Sequence, residues 1–309
     1  MRFLKGKLSA GIAILVISGS IFANQFNINP DQLRTDKKEF IQQMVLKHDF
    51  NRVYLNHLFN TLHPNEKILD SMNAPFEKKP WNFYRNFFLT SERIDLGAAY
   101  LKKNHRALMK MQKKYGIPAS IITAIIGVET EYGTHLGKYP VLSTLYTLGF
   151  YYPPREKFFR KELAQYLILT RDNHLQTKTI KGSYAGALGI PQFMPSSYRH
   201  FGVSYEKNHS VNLFDQDDAI ASVANYFHKN GWKPNQPIAE ELESKHQHID
   251  ANAKRIMLPT KDGKQYWAIY RNFNVIMSYN HNVVYAMAVY QLSQAIENQY
   301  AHNSKHSAL

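Results

Sequence analysis

Ile117-Pro118-Ala119-Ser120-Ile121-Ile122-Thr123-Ala124-Ile125-Ile126-Gly127-Val128-Glu129-Thr130-Glu131-Tyr132-Gly133 is the stretch that decides how this chain folds. Proline suits the first turn of a helix, where its missing N–H would have no partner anyway, so Pro118 marks a start. Ile121, Ile122, Ile125 and Ile126 then recur at helical spacing and make an apolar face that runs toward Gly133. Glu129 follows Ile125 by four residues and Ile122 by seven, which puts its carboxyl on that same face. A carboxyl held against apolar groups loses hydration of its charged form and stays protonated nearer neutral pH, as a general acid must. By position alone Glu129 is also readable as a helix-end glutamate turned to solvent or paired with a cation. Glu131 is the poorer candidate acid, because two residues along a helix is roughly 200° around the axis.

Helical patterning continues on both sides. Thr90 reads as an N-cap for a helix carrying Ile94, Ala98, Leu101, His105, Leu108, Met111 and Tyr115 at spacings of three and four, with Gly116 as its stop. Asp215 and Asp218 form a cap-like pair before Ile220, Val223, Ala224 and Phe227, and that helix is expected to stop at Gly231-Trp232-Lys233-Pro234. Between Pro234 and Ile276 the periodicity weakens. There Arg255–Leu258 and Tyr266–Tyr270, separated by Pro259-Thr260-Lys261-Asp262-Gly263, read as short strands joined by a turn. A last helix is expected from Val283 to Asn298. The fold class is therefore mainly α (α+β), with one small strand-bearing insertion.

Three further segments concentrate ligand-binding chemistry. Gly182 to Tyr198 packs small residues, Ser183 among them, with Gln192, aromatics and Met194; glycine lets a backbone approach a ligand, and an amide offers both donor and acceptor to a sugar hydroxyl. Ser278-Tyr279-Asn280-His281-Asn282-Val283-Val284-Tyr285 brings two tyrosines and an asparagine to the entry of the last helix. Pro80-Trp81-Asn82-Phe83-Tyr84-Arg85-Asn86-Phe87 gathers aromatics able to stack on sugar faces. Each has a purely structural alternative: a tight buried turn, an N-cap at Asn280, and core filling.

Composition bounds the rest. The 309 residues hold 38 Lys+Arg, 24 Asp+Glu, 14 His and no Cys, which excludes disulfide scaffolds, cysteine-ligated metals, cysteine nucleophiles and a lipid-modified cysteine. With 44% hydrophobic and 20% charged residues, the chain is of the folded class. Arg2, Lys5 and Lys7 precede an apolar run from Leu8 to Ala23 ending in small residues, the order of an export signal; a retained anchor would want about 20 apolar residues. Its removal lowers the net charge from +14 to +11. Such a surface attracts polyanions, whether nucleic acid, anionic lipid or a cell-wall polymer bearing carboxylates and phosphates, and export, with no nucleic-acid signature in the chain, makes nucleic acid the least expected of these.

Together, Ile125-Ile126-Gly127-Val128-Glu129-Thr130 with Tyr132-Gly133, the Gly182–Tyr198 segment, Ala221-Ser222-Val223-Ala224-Asn225-Tyr226-Phe227, and Tyr279-Asn280-His281 with Tyr285–Val289 closely resemble the membrane-bound lytic murein transglycosylase B family of cell-wall enzymes. The similarity runs from about Trp81 to Ile296, with the motifs in the family's order. It implies a lysozyme-like core and a peptidoglycan lytic transglycosylase, divided here as a signal (1–23), a helical N-terminal part (24–116), the core (117–233), a strand-bearing part (234–276) and a returning C-terminal helix with a polar tail (277–309). It further implies Glu129 as single acid/base, Gln192 as the substrate-binding glutamine, and Tyr84, Tyr226, Asn280, Tyr285 and Ser183 as further substrate-binding groups. Arg155 matches one of two adjacent arginines near the substrate peptide, and Pro154 stands at the other position. The implied partners are peptidoglycan glycan strands and the cell-wall synthesis or division machinery, for a monomeric periplasmic chain needing no organic cofactor.

The family's calcium loop, which is similar to an EF-hand, reads here Ser204-Tyr205-Glu206-Lys207-Asn208-His209-Ser210, with Asp218 at the terminal position. Calcium wants several hard oxygen ligands, so lost carboxylates and an added lysine predict a metal-free loop. Two other functions stay open on sequence: a water-using muramidase with Asp172, Asp217 or Asp218 as second carboxylate, and a non-catalytic peptidoglycan-binding scaffold.

Overall fold

The computed structural model describes residues 28–73, 80–206, 210–261 and 263–306. The expected export signal (1–23), Lys207, Asn208 and His209 of the loop, Asp262 of the hairpin turn, and the end of the polar tail lie outside the described residues. In chain order the elements are α1 (Pro30–His48), α2 (Arg52–Asn60), α3 (Glu66–Asn73), α4 (Trp81–Phe88), α5 (Ser91–Lys103), α6 (His105–Tyr115), α7 (Ala119–Thr130), β1 (Tyr139–Pro140), α8 (Val141–Tyr151), a 3-10 turn (Pro153–Arg155), α9 (Glu156–Asp172), β2 (Lys181–Gly182), α10 (Pro195–Phe201), α11 (Gln216–Lys229), β3 (Ala239–Leu242), β4 (Lys254–Thr260), β5 (Gly263–Ile269), α12 (Arg271–Met277) and α13 (Val283–His306).

Helix α7 is the hub. Every residue from Ala119 to Gly127 is buried, and α5, α6, α11 and α13 all pack against it. A helix apolar on all sides belongs in the middle of a domain, and the isoleucine run supplies that. The caps that sequence reading placed are formed: Thr90 Oγ1 accepts the Arg93 N–H at 3.2 Å, and Asp215 Oδ1 accepts those of Asp217 and Asp218 at 2.9 and 3.1 Å. Gly116 and Gly231 end their helices with positive φ, and Trp232 Nε1 donates to the Gly116 carbonyl at 2.9 Å, joining two helix ends.

The small sheet has order β3-β5-β4, antiparallel throughout, with Ile256 opposite Trp267 and Ala239 opposite Ile269. It docks on α13 through Trp267, whose ring meets Tyr290 edge-on at 6.3 Å, and through the Tyr290 hydroxyl, which donates to the Ala239 carbonyl at 2.8 Å. A two-residue ribbon pairs Tyr139 with Gly182 and so ties the chain after α7 to the glycine-rich segment.

Four expectations are corrected. The helix read from Thr90 to Tyr115 is two, broken at Asn104, whose Nδ2 and N–H both turn back to the Tyr100 carbonyl. His105 is exposed as a result, and Ala107 takes its place on the buried face. β3 was unforeseen because only Ala239 and Leu242 of its four residues are buried, which gives no alternation. Helix α7 stops at Thr130, before three successive left-handed residues, Glu131 (φ 48°), Tyr132 (φ 62°) and Gly133 (φ 90°). Helix α13 extends to His306, beyond Asn298, as a polar and mostly exposed end.

A Cβ on Gly127 would lie 2.7 Å from the Tyr132 ring. Alanine gains about 1 kcal/mol in helix propensity, but overpacking costs about 1–3 kcal/mol, and Tyr132 is anchored by its hydroxyl to the Arg93 carbonyl. Gly127→Ala is therefore expected to lower the urea midpoint with an unchanged slope; a raised midpoint contradicts this packing.

Candidate active site

Glu129 lies half-buried in the last turn of α7. Tyr285, at the start of α13 and 3% exposed, donates its hydroxyl to Glu129 Oε1 at 2.5 Å, closing a contact between residues 156 apart. Burial first, and the Glu129 charge second, push the Tyr285 hydroxyl well above its ordinary value of 10.0, so it remains a donor. Tyr279 is shifted the same way, by burial, by Glu129 and by Tyr226, and donates to the Pro191 carbonyl at 2.6 Å. Tyr226, from α11, donates to the Ser278 carbonyl at 2.6 Å and meets the Tyr279 ring at 4.8 Å and that of Phe193 at 5.8 Å.

Gln192 is brought to this centre by the loop between β2 and α10. Leu188 pairs with Phe193 across a tight turn, with Gly189 at φ 76° and Gln192 itself at φ 50°. A side chain other than glycine in the left-handed region is strained, and such residues collect at functional sites. Gln192 Nε2 donates to the Gly189 carbonyl at 2.9 Å, which fixes the amide. The loop is bonded to the end of α7, where Thr130 Oγ1 donates to the Ile190 carbonyl at 2.8 Å. Glu129 and Gln192 thus each flank a directly bonded element.

The remaining expected residues are placed differently. Asn282, not Asn280, caps α13, its Oδ1 accepting the Val284 N–H at 2.9 Å; Asn280 is half-buried beside Tyr279. Ser183 Oγ accepts the Ala185 and Ala187 N–H groups at 3.2 and 3.1 Å and so shapes its own turn. Tyr84 is 1% exposed, on α4 against Phe88, so it stands behind a wall and not on an open surface. Arg155 is exposed in the 3-10 turn, its guanidinium 4.4 Å from the Phe158 ring centre. Two contributors were missed by sequence reading. Tyr279 stands in the motif before the last helix, but its part rests on contacts with Pro191 and Tyr226, and Arg93 lies 34 residues from the carbonyl it reaches, at Gly127, with no local signal.

In the loop from Ser204 to Asp218, Asp218 is 1% exposed and both its oxygens are engaged: Oδ1 accepts the Tyr205 N–H at 2.7 Å and Oδ2 that of Asn212 at 2.8 Å. The Lys110 ammonium sits 3.9 Å from the Tyr205 ring centre. Both Asp218 oxygens are thus engaged by backbone donors, and a lysine stands at the loop. Among the described residues no group of three His, Asp or Glu is placed to hold a metal, and no helix is long and apolar enough to cross a membrane.

A half-buried carboxyl that accepts a tyrosine hydroxyl at the end of a central helix sits here in a mainly α fold like that of the lysozyme-like, glycan-cleaving enzymes. The transglycosylase SLT domain matches residues 32–256 and 242–294, and the chain belongs to that family of lytic transglycosylases. It is 35% identical to the membrane-bound lytic murein transglycosylase B of Escherichia coli K12, over 90% of this chain and 84% of that one. The Escherichia coli lytic transglycosylase Slt35, solved in complex with bulgecin A, matches with a TM-score of 0.80 and 35% identity over 86% of this chain and 94% of that one. The soluble lytic transglycosylase SltB1 of Pseudomonas aeruginosa gives 0.78 and 37% over 85% and 98%. Slt35 has also been solved with calcium.

Tyrosines whose folded value is raised hold their protons while the unfolded chain releases them, so their stability contribution is complete below about pH 10 and is lost as pH rises beyond it. Each subtracts about 1.4 kcal/mol per pH unit. The alkaline fall in unfolding free energy is expected to be shallower by one such step in Tyr285→Phe; an identical slope would place the Tyr285 hydroxyl in water.

Proposed function

We propose that the chain cleaves the β-1,4 bond between N-acetylmuramic acid and N-acetylglucosamine in peptidoglycan by intramolecular attack, with Glu129 as its single acid and base. The contact between Glu129 and Tyr285 at the end of α7 carries this reading. Protonated Glu129 gives its proton to the bridging oxygen as the bond to the muramyl C1 breaks. The muramyl C6 hydroxyl bonds to C1 and passes its proton to the Glu129 carboxylate, which closes a 1,6-anhydro ring and restores the acid. The Tyr285 hydroxyl, which donates to Glu129 Oε1, supports the carboxylate once the proton has left.

A muramidase would need a second carboxylate to work on water. Asp218 is enclosed and committed to the loop backbone, and Asp172 pairs with Arg171 at 2.8 Å and Arg199 at 4.0 Å. Burial first, and then the charges of Asp215, Asp218 and Glu206, raise the pKa of Asp217. These surroundings favour the single-carboxylate chemistry. Gln192 and Asn280 are assigned to sugar hydroxyl and acetamido groups, Ser183 to the turn that presents them, Tyr226 and Tyr84 to the wall behind, and Arg155 to the carboxylates of a stem peptide. Export by residues 1–23 would deliver the enzyme to the periplasm, where its substrate lies, and the basic surface suits that anionic polymer.

Glu129→Gln preserves shape and removes the transferable proton, and turnover is expected to fall by ~10² to 10⁴-fold. Full release of anhydromuramyl fragments by this variant, followed by mass spectrometry, would exclude Glu129. The loop from Ser204 to Asp218 is proposed to work without metal. Millimolar calcium is then expected to leave the melting temperature unchanged, and a calcium-dependent rise would refute that.

A further inference from the structure

Resting on the reading of Glu129 as acid and base, we propose that Arg93 is a positioning residue whose guanidinium holds the last turn of α7 in register for proton transfer. Arg93 is a charged side chain only 9% exposed. Its Nη1 donates to the Gly127 carbonyl at 2.5 Å, and its Nη2 lies 3.5 Å from Glu131 Oε1. Gly127 and Glu131 stand two residues before and two after Glu129, so one planar fork grips the backbone on one side of the acid and the side chain on the other. Arginine can hold two such partners at fixed geometry; lysine offers a single point charge.

The surroundings make the grip reciprocal. The Tyr132 hydroxyl donates to the Arg93 carbonyl at 2.7 Å, while the Tyr132 N–H donates to the Ile126 carbonyl at 3.2 Å. Glu131 Oε2 also meets His135 Nδ1 at 2.9 Å. The rings of Phe87 and Phe88, centred 5.8 and 5.4 Å from the guanidinium carbon, confine it from the α4 side. The Gly127 carbonyl accepts the Glu131 N–H at 3.2 Å as the helical ladder ends, and the residues after Thr130 are left-handed, so beyond that bond this end of α7 rests on contacts from outside. Arg93 supplies them at the turn where a displacement would move the acid from the bridging oxygen.

A merely structural arginine would, on removal, lower the folded fraction and leave turnover per folded molecule intact. A positioning residue lowers kcat with KM little changed, and a conservative replacement restores part of it. The test measures kcat and KM on soluble peptidoglycan strands for wild type, Arg93→Met, Arg93→Lys and Glu131→Gln, with folded fraction from circular dichroism and end groups from mass spectrometry. Arg93→Met is expected to lose roughly 10- to 100-fold in kcat per folded molecule, the scale of a misplacement near 1 Å, with KM within about twofold. Arg93→Lys recovers part of that loss, and Glu131→Gln shows a smaller one. Wild-type kcat per folded molecule in Arg93→Met overturns the proposal, as does equal impairment of Met and Lys variants with KM raised in step. Should Arg93→Met not fold, wild-type kcat in both Arg93→Lys and Glu131→Gln overturns it equally. Absence of anhydro ends from the wild type would instead sink the underlying reading before any variant is compared.

Discussion

A helix that is apolar on every side and ends in a carboxyl sets the terms for the rest of this molecule. Burying Ala119 to Gly127 demands a shell of helices, and α5, α6, α11 and α13 provide it. The same burial would leave the polar end of α7 stranded unless other elements met it. Three do so: α13 brings Tyr285 to Glu129, the loop before α10 brings the Ile190 carbonyl to Thr130, and α5 brings Arg93 to Gly127. Packing and chemistry are therefore not separate features. The contacts that satisfy the end of the central helix are also those that surround Glu129.

The electrostatics follow from that arrangement. A carboxylate at a helix C-terminus faces the negative end of the macrodipole, while a tyrosine hydroxyl at 2.5 Å favours the charge. Opposed influences of this kind suit the proton donor and acceptor proposed for Glu129. The tyrosine layer behind it, Tyr226 on Tyr279 and Tyr279 on Pro191, ties the glycine-rich loop to α11 and to the turn before α13. Gln192 is held in a left-handed conformation at that junction, where a strained residue persists only because its neighbours fix it.

Much of this was legible in the sequence because it was written locally. The isoleucine spacing placed Glu129, the caps at Thr90 and Asp215 formed, and the hairpin appeared where periodicity weakened. What stayed hidden depended on distant partners. Asn104 breaks a helix through its own side chain, a choice the apolar spacing does not encode. Asn280 and Asn282 are equally good caps by residue type, and only the entry path of α13 selects the second. Tyr84 and Tyr226 read as cleft residues, yet depth is a property of packing, and both lie buried. Arg93 carries no motif at all, since its meaning lies in a carbonyl on another helix.

The proposed chemistry turns on one step: the new bond at the muramyl C1 is made by the substrate's own hydroxyl and not by water. Cleavage of purified glycan strands in ¹⁸O-enriched water, read by mass spectrometry of the released muramyl ends, tests it most directly. Anhydro ends free of the heavy isotope are predicted. Reducing ends carrying one ¹⁸O would show that water had attacked and would contradict the single-carboxylate mechanism.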